Sequence, residues 1–312
     1  MATRCCIVST AMELPLHTRD RFNPLALTTI ERVWLCYFAT MSLVALVVPG
    51  GGEPEHRPGA FVATQLALAS VHVLVAWWAR RRNESSARVA RSLASIVSMP
   101  IAFSSMAFLL PAVHPEPWEW AWHAGDRWLW ETDVTVALQG WMSPWFTELL
   151  QWLYAAFYVQ PILAVVLAGW VAGTAAFDRS MVEVVFGFLV SYAGYLLFPT
   201  LGPAFFLHHG EPLRGVWLAQ ELNAWIFAAE ANKWDCFPSG HTMIGLLSMV
   251  IVARRAPRCL WWFAPLSLLL VFSTMALRYH WFIDVLCGAL LVWPTVRVAN
   301  WMMDLDGAPR VR

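Results

Sequence analysis

The run Trp281-Phe282-Ile283-Asp284-Val285-Leu286-Cys287-Gly288-Ala289-Leu290-Leu291-Val292-Trp293-Pro294-Thr295-Val296-Arg297-Val298 decides the fold class. Between Asp284 and Arg297 it carries no charge. About 20 apolar residues in a helix cross the hydrocarbon layer of a bilayer, and a backbone facing lipid must satisfy its own hydrogen bonds. The run therefore reads as a membrane span. Seven more of the same kind precede it, centred on Val33 to Val48, Ala60 to Ala79, Ser92 to Val113, Leu149 to Ala172, Met181 to Pro199, Thr242 to Ala253 and Cys259 to Leu277. The Thr242 run is short, so its helix is expected to begin within the preceding loop. The sequence predicts an all-α integral membrane protein with about eight transmembrane helices. Nothing before Val33 has the compact apolar stretch of a signal peptide, so the first span is expected to stay attached.

Composition agrees. The 312 residues are 59% hydrophobic and only 13% charged, whereas soluble domains run near about 25% charged. That excludes a soluble body and a disordered chain, and it gives no support to a nucleic-acid partner. The six cysteines do not make a disulfide framework: Cys36 and Cys287 sit in spans, Cys259 at a boundary and Cys5 and Cys6 in the N-terminal tail, which leaves Cys236 alone on its face.

Positive charge concentrates on the cytoplasmic side of membrane proteins. With eight spans, Arg4, Arg19, Arg21, Arg32, Arg80, Arg81, Arg82, Arg88, Arg91, Arg179, Arg254, Arg255, Arg258, Arg297, Arg310 and Arg312 fall on one side. Only Arg57, Arg127, Arg214, Lys233 and Arg278 fall on the other. Both termini are therefore expected in the cytoplasm, and the opposite face is periplasmic, lumenal or extracellular. Acidic residues are skewed the other way, so the net charge of zero is a cancellation between a basic and an acidic face. The segment 114–145 holds Trp118, Trp120, Trp122, Trp128, Trp130, Trp141 and Trp145; amphipathic indoles with interleaved acids read as interfacial helices.

Two clusters carry chemistry, both on the acidic face. Asp235-Cys236-Phe237-Pro238-Ser239-Gly240-His241-Thr242 precedes one span, and Arg278-Tyr279-His280-Trp281-Phe282-Ile283-Asp284 opens the last. Ionisable groups at a membrane boundary are costly and invite a functional reading. His280 and Asp284 are four apart, so on a helix they would share a face, and the carboxylate would fix the imidazole tautomer. Pro238 and Gly240 shape a turn whose free N–H groups, with the Ser239 hydroxyl, would hold an anion. His241 beside it would give or take a proton. Each piece alone also fits an ordinary helical hydrogen bond, a pair of metal ligands or a helix cap at Ser239. Together they describe phosphoryl transfer through a phosphohistidine.

At these residues the chain resembles the type-2 phosphatidic acid phosphatase superfamily, related to vanadium haloperoxidases. Pro238 to His241 match its second motif, Pro-Ser-Gly-His. Ser273, His280 and Asp284 match its third, in which Thr274 stands where the family has Arg. The resemblance implies a six-helix core, independence of metal and cofactor, His280 as nucleophile, Asp284 as its orienter and His241 as the acid for the leaving group. The first motif, Lys-x6-Arg-Pro, is absent; the chain reads Phe198-Pro199-Thr200-Leu201-Gly202-Pro203 instead. That stretch, Tyr279 to Gly288, and Leu149 to Pro161 with Tyr154, Tyr158 and Pro161 resemble the inositol phosphorylceramide synthase branch.

The missing cations have a consequence. A phosphomonoester carries close to two charges near neutral pH, its second pKa being about 6, and a phosphodiester carries one, so fewer fixed cations favour the diester. Arg278 and Lys233 remain as phosphate-binding candidates beside Ser239, Gly240 and Thr274, with Arg214, His208 and His209 in the same loop region. The expected organisation is a cytoplasmic tail over 1–32, two additional spans and a basic loop over 33–91, a catalytic core over 92–300 and a tail over 301–312. The expected function is transfer of a phosphoinositol-like headgroup from a membrane lipid to a hydroxyl acceptor or water. A lipid phosphate phosphatase is the alternative within the enzyme class, and a non-catalytic lipid transporter or scaffold lies outside it.

Overall fold

The computed structural model describes residues 27–48, 58–114, 116–229 and 232–309. The residues before Leu27, with Arg4, Arg19, Arg21, Cys5 and Cys6, lie outside the described residues, as do Arg57, Arg310 and Arg312. Among the described residues the chain is helical, and its one β-bridge joins Thr200 to Asp235.

The N-terminal layer comprises α1 (Thr29–Val47), α2 (Pro58–Ala79) and α3 (Glu84–Ser105), the last continuing through a tighter turn to Val113. Next comes α4 (Glu119–Trp130) in the tryptophan-rich segment, then α5 (Pro144–Ala155) and α6 (Gln160–Ala172). The remaining helices are α7 (Thr174–Leu197), α8 (Ala219–Ala229), α9 (Gly240–Arg255), α10 (Leu260–Ala276) and α11 (Phe282–Leu305). Helix α1 begins inside the stretch expected as a tail, and α11 runs beyond residue 300.

Among the described residues, six helices are long and apolar enough to cross a membrane: α1, α2, α3 with its extension, α7, α10 with its leading turn, and α11. The expected fourth span is broken. Helices α5 and α6 meet at 58°, because Pro161 in the first turn of α6 has no N–H to continue the helix across Ala156–Tyr158. The expected sixth is α9, which starts at Gly240 and has 16 residues. At 1.5 Å per residue it reaches only about 24 Å. Among the described residues, length and composition alone give six crossings, or up to seven with the bent pair, and do not confirm the expected eight.

Helix α9 is the hub, packed against α6, α7, α10 and α11. Glycines let neighbours close on it: a Cβ on Gly187 of α7 would fall 2.8 Å from the Ile244 side chain and 2.9 Å from that of Leu247. Outward faces stay apolar, with Leu66 and Leu74 on α2 exposed, as lipid contact requires.

The end of the bundle that holds the start of α1 and the finish of α11 is laced by charge. Thr29 Oγ1 donates to Asp306, Arg179 Nη2 to Asp304 and Arg91 Nε to Glu31, at 2.5, 2.6 and 2.6 Å. Arg255 pairs with Glu183, and both are buried. Helix α11 is 24 residues long, so its first turn lies about 36 Å from this end. The two sequence clusters meet at that far end.

Candidate active site

The last turn of α10 is drawn tight around one carbonyl. Tyr279 and His280 both donate their backbone N–H to Thr274 O, at 2.9 and 3.0 Å, and Arg278 takes a left-handed φ of 69° to allow it. The Thr274 hydroxyl donates back into its own helix, to Val271 O at 2.7 Å. Its side chain is fully buried and not among the residues lining the adjoining cavities. Thr274 thus shapes the turn, with its hydroxyl engaged within its own helix.

Helix α11 starts at Phe282, so His280 precedes it. The expected shared helical face does not form. Asp284 caps the helix, its Oδ2 accepting from Trp281 N at 2.8 Å. The next two N–H groups, of Phe282 and Ile283, donate to Asp126 of α4 at 2.8 and 2.9 Å. Two carboxylates thus satisfy donors that a helix start leaves free, where the helix dipole favours negative charge. Burial pushes Asp126 up to about 6 against those hydrogen bonds.

His280 is held by a backbone carbonyl. Its Nδ1 donates to Cys236 O at 3.0 Å and lies 3.6 Å from Asp284 Oδ2, which is charge contact rather than a hydrogen bond. The proton position follows from these acceptors: with Nδ1 protonated, Nε2 keeps its lone pair. The Cys236 thiol donates to Asp284 Oδ2 at 2.7 Å, and burial beside that carboxylate raises its pKa, so it stays a thiol. Cys236 Sγ, His280 Nδ1 and Asp284 Oδ2 all lie within 4.8 Å of one another, a donor set of the kind that holds zinc.

His241 is the second residue of α9. Its ring lies against Tyr154, at 4.4 Å between centroids, and Phe157, at 4.1 Å. The His280 ring is 5.6 Å away. His241 Nε2 is buried without a hydrogen-bond partner. Tyr154 also stacks on Tyr279 at 4.1 Å, so one aromatic pile aligns both clusters. Gly240 leaves room there, since a Cβ would fall 2.3 Å from Tyr195 Oη. Ser239 is committed to structure. Its Oγ accepts from Thr242 N at 3.2 Å and donates to Thr242 Oγ1 at 2.9 Å, and its N–H donates to Asp284 O at 3.1 Å. Its hydroxyl is thus engaged at the start of α9.

A polar chamber of about 30 Å³ is lined by Lys233, Asp235, His241, Arg278 and His280, with Tyr154 and Tyr279 as walls. Arg278 donates to Glu211 O at 2.6 Å, while its Nε is buried and unpartnered. Lys233 donates to Phe227 O and sits over that ring. Burial pushes Asp235 up to about 6 although His280 and Lys233 pull it down. Arg214 is exposed, and His209 is tied to Thr135 at 3.1 Å.

Sequence reasoning gives no role to Asp235, Cys236 or Asp126, and reads 114–145 only as interfacial helices. Trp120, Trp128, Trp141 and Trp145 are exposed as a belt would be. Trp122, by contrast, stacks on Phe237 at 4.1 Å and donates to Thr200 Oγ1 at 2.5 Å. The inner side of α4 therefore buttresses the site.

The PAP2 superfamily model matches residues 121–298, more than half of the chain and most of α4 through the bulk of α11, with α1 to α3 outside the match. No curated protein and no solved structure matches the chain. Both clusters lie within the matched segment, on a bundle of membrane-crossing helices. The chain belongs to the PAP2 superfamily, and that membership supports phosphatase-like phosphoryl transfer on a lipid.

Proposed function

We propose that the protein transfers a phosphate-linked headgroup from a lipid phosphodiester to a hydroxyl acceptor through a phosphohistidine on His280. The carrying observation is that His280, its Nδ1 engaged by Cys236 O, and His241 line one chamber, which leaves the Nε2 lone pair of His280 available for attack. In the first half-reaction the Nε2–P bond forms as the P–O bond to the lipid alcohol breaks, and His241, which takes up a proton from solvent as the anionic substrate settles beside it, gives that proton to the departing oxygen. In the second, His241 takes the proton of the acceptor hydroxyl, whose oxygen attacks phosphorus as the P–N bond breaks. Asp284 stabilises the imidazolium form of His280. Arg278, Lys233 and the Gly240 N–H hold the non-bridging oxygens. The scheme uses neither metal nor organic cofactor. The site faces the periplasm, lumen or exterior, and both termini are cytoplasmic.

A phosphatase reading draws on one observation: Lys233 and Arg278 both line the chamber and partly replace the missing family cations, which suits a dianionic monoester. Purified protein supplied with phosphatidate, and separately with a phosphodiester lipid and a hydroxyl acceptor, distinguishes the two. Headgroup-bearing product without free phosphate supports transfer; free phosphate from phosphatidate alone supports the phosphatase. Substrate binding without turnover of either would leave a transporter or scaffold. Loss of activity in chelator with recovery in zinc would overturn the metal-free scheme and point to the Cys236, His280 and Asp284 donor set.

A further inference from the structure

A second cavity, of about 280 Å³, adjoins the polar chamber. Its walls are apolar: Met99 and Phe103 from α3, Pro161 and Val165 from α6, Val184 and Phe188 from α7. Among the described residues, only Asp235 and His241 line both cavities, and His280 lines the polar one alone. Helix α3 is fixed as a wall by the Tyr192 hydroxyl, which donates to Met99 O at 3.0 Å, and it lies outside the segment that matches the PAP2 superfamily.

In an in-line displacement the nucleophile and the leaving oxygen lie on opposite sides of phosphorus. With His280 as nucleophile and His241 serving the leaving oxygen, whatever is attached to that oxygen extends past His241. What lies past His241 is this cavity. We propose that it binds one hydrocarbon chain of the lipid alcohol that leaves and, in the second half-reaction, of the lipid alcohol that accepts. This rests on the reading of His280 and His241 given above. The occupant is argued from continuity: an apolar chamber between membrane-crossing helices opens onto the proton donor and away from the nucleophile. Its volume lies at the lower end of small-molecule sites, about 300–1,000 Å³, which suits one chain rather than a whole two-chain lipid. The inference assigns chain selection to α3, a helix the superfamily match does not include.

Met99→Trp and Val165→Phe fill the cavity, and Leu74→Trp on the exposed face of α2 serves as control. We expect each filling variant to lower kcat/KM for a long-chain phospholipid, relative to a short-chain analogue with the same headgroup, by about tenfold or more, the order expected when an apolar pocket loses fit. The control leaves that ratio within twofold. An unchanged ratio in both filling variants overturns the proposal. A second readout does not depend on turnover: a phospholipid carrying a photoactivatable group at the end of one chain is crosslinked to the protein in vesicles. Labelling of α3, α6 and α7 that Met99→Trp removes supports the chain site even if the phosphohistidine reading fails. Labelling that Met99→Trp leaves untouched overturns the chain site even if that reading stands.

Discussion

Gly288 stands directly behind Ser239: a Cβ built on Gly288 falls 2.6 Å from the Ser239 carbonyl oxygen. The contact is backbone, so a side chain there cannot be accommodated by a rotamer change, and the turn carrying His241 would have to shift against the helix carrying Asp284. Overpacking of this kind costs about 1–3 kcal/mol, and a misplacement of an ångström costs roughly 10²-fold in rate. Gly288→Ala is expected to lose on the order of 10²-fold in kcat while still folding, as read by turnover and by a thermal melt in detergent. Unchanged turnover would mean that the two segments need not touch.

The Cys236 carbonyl holds His280 Nδ1 at 3.0 Å, and the Cys236 Sγ lies 3.4 Å from the same nitrogen. Removing the thiol deprives Asp284 Oδ2 of one of its two donors, the other being Trp281 N, a loss of about 1 kcal/mol or a little more. Cys236→Ser should stay near wild type and Cys236→Ala within about tenfold, measured as kcat/KM on the same lipid. A loss as large as that of His280→Ala would make the thiol, and with it a metal or thiolate role, central.

Asp126 is pushed up to about 6 by burial, from an ordinary value of 3.8. Between roughly pH 4 and 6 the folded chain then holds a proton that the unfolded chain has released, so this group favours folding at the acid end, and its contribution falls as pH rises through that window. Wild type should therefore lose stability relative to Asp126→Asn between pH 4 and 6, followed by melting temperatures of the two proteins side by side. A relative gain with rising pH would show that the two N–H donors from α11 outweigh burial.

At the opposite end, Glu183 accepts from Arg255 Nη2 at 2.8 Å, and Ser180 and Asn300 join the network. Breaking a buried pair leaves a lone charge and costs about 3–5 kcal/mol. Glu183→Gln should melt markedly lower in detergent yet turn over at a near-normal rate in the fraction that stays folded. Normal stability would mean that water reaches Arg255.

The helical runs, the meeting of the two clusters and the apolar exterior were legible in the sequence, because membrane spans need only local composition and length. What escaped depends on where a helix starts and what its ends touch. The spacing of His280 and Asp284 suggests one helical face, but Trp281 caps the helix and places His280 before it, so the tether comes from Cys236, far away in sequence. Ser239 and Thr274 looked like ligands by residue type; their hydroxyls are spent on a cap and on an i−3 carbonyl. Asp126 lay hidden in a stretch whose tryptophans announced only an interface. A carboxylate four residues after an indole that ends up facing inward, Trp122, is visible as a helical spacing, but nothing local says which side faces the site. The 58° break between α5 and α6 has a sequence signal in Pro161, which also belongs to the family-like stretch Leu149 to Pro161.

The phosphohistidine is tested most directly by rapid quenching with a phosphorus-labelled phosphodiester lipid, followed by mass spectrometry of the peptide spanning His280. A labelled phosphoramidate on His280, formed when acceptor is withheld and absent in His280→Asn, is the expected result. Turnover that persists in His280→Asn, or label found on another residue, would contradict it.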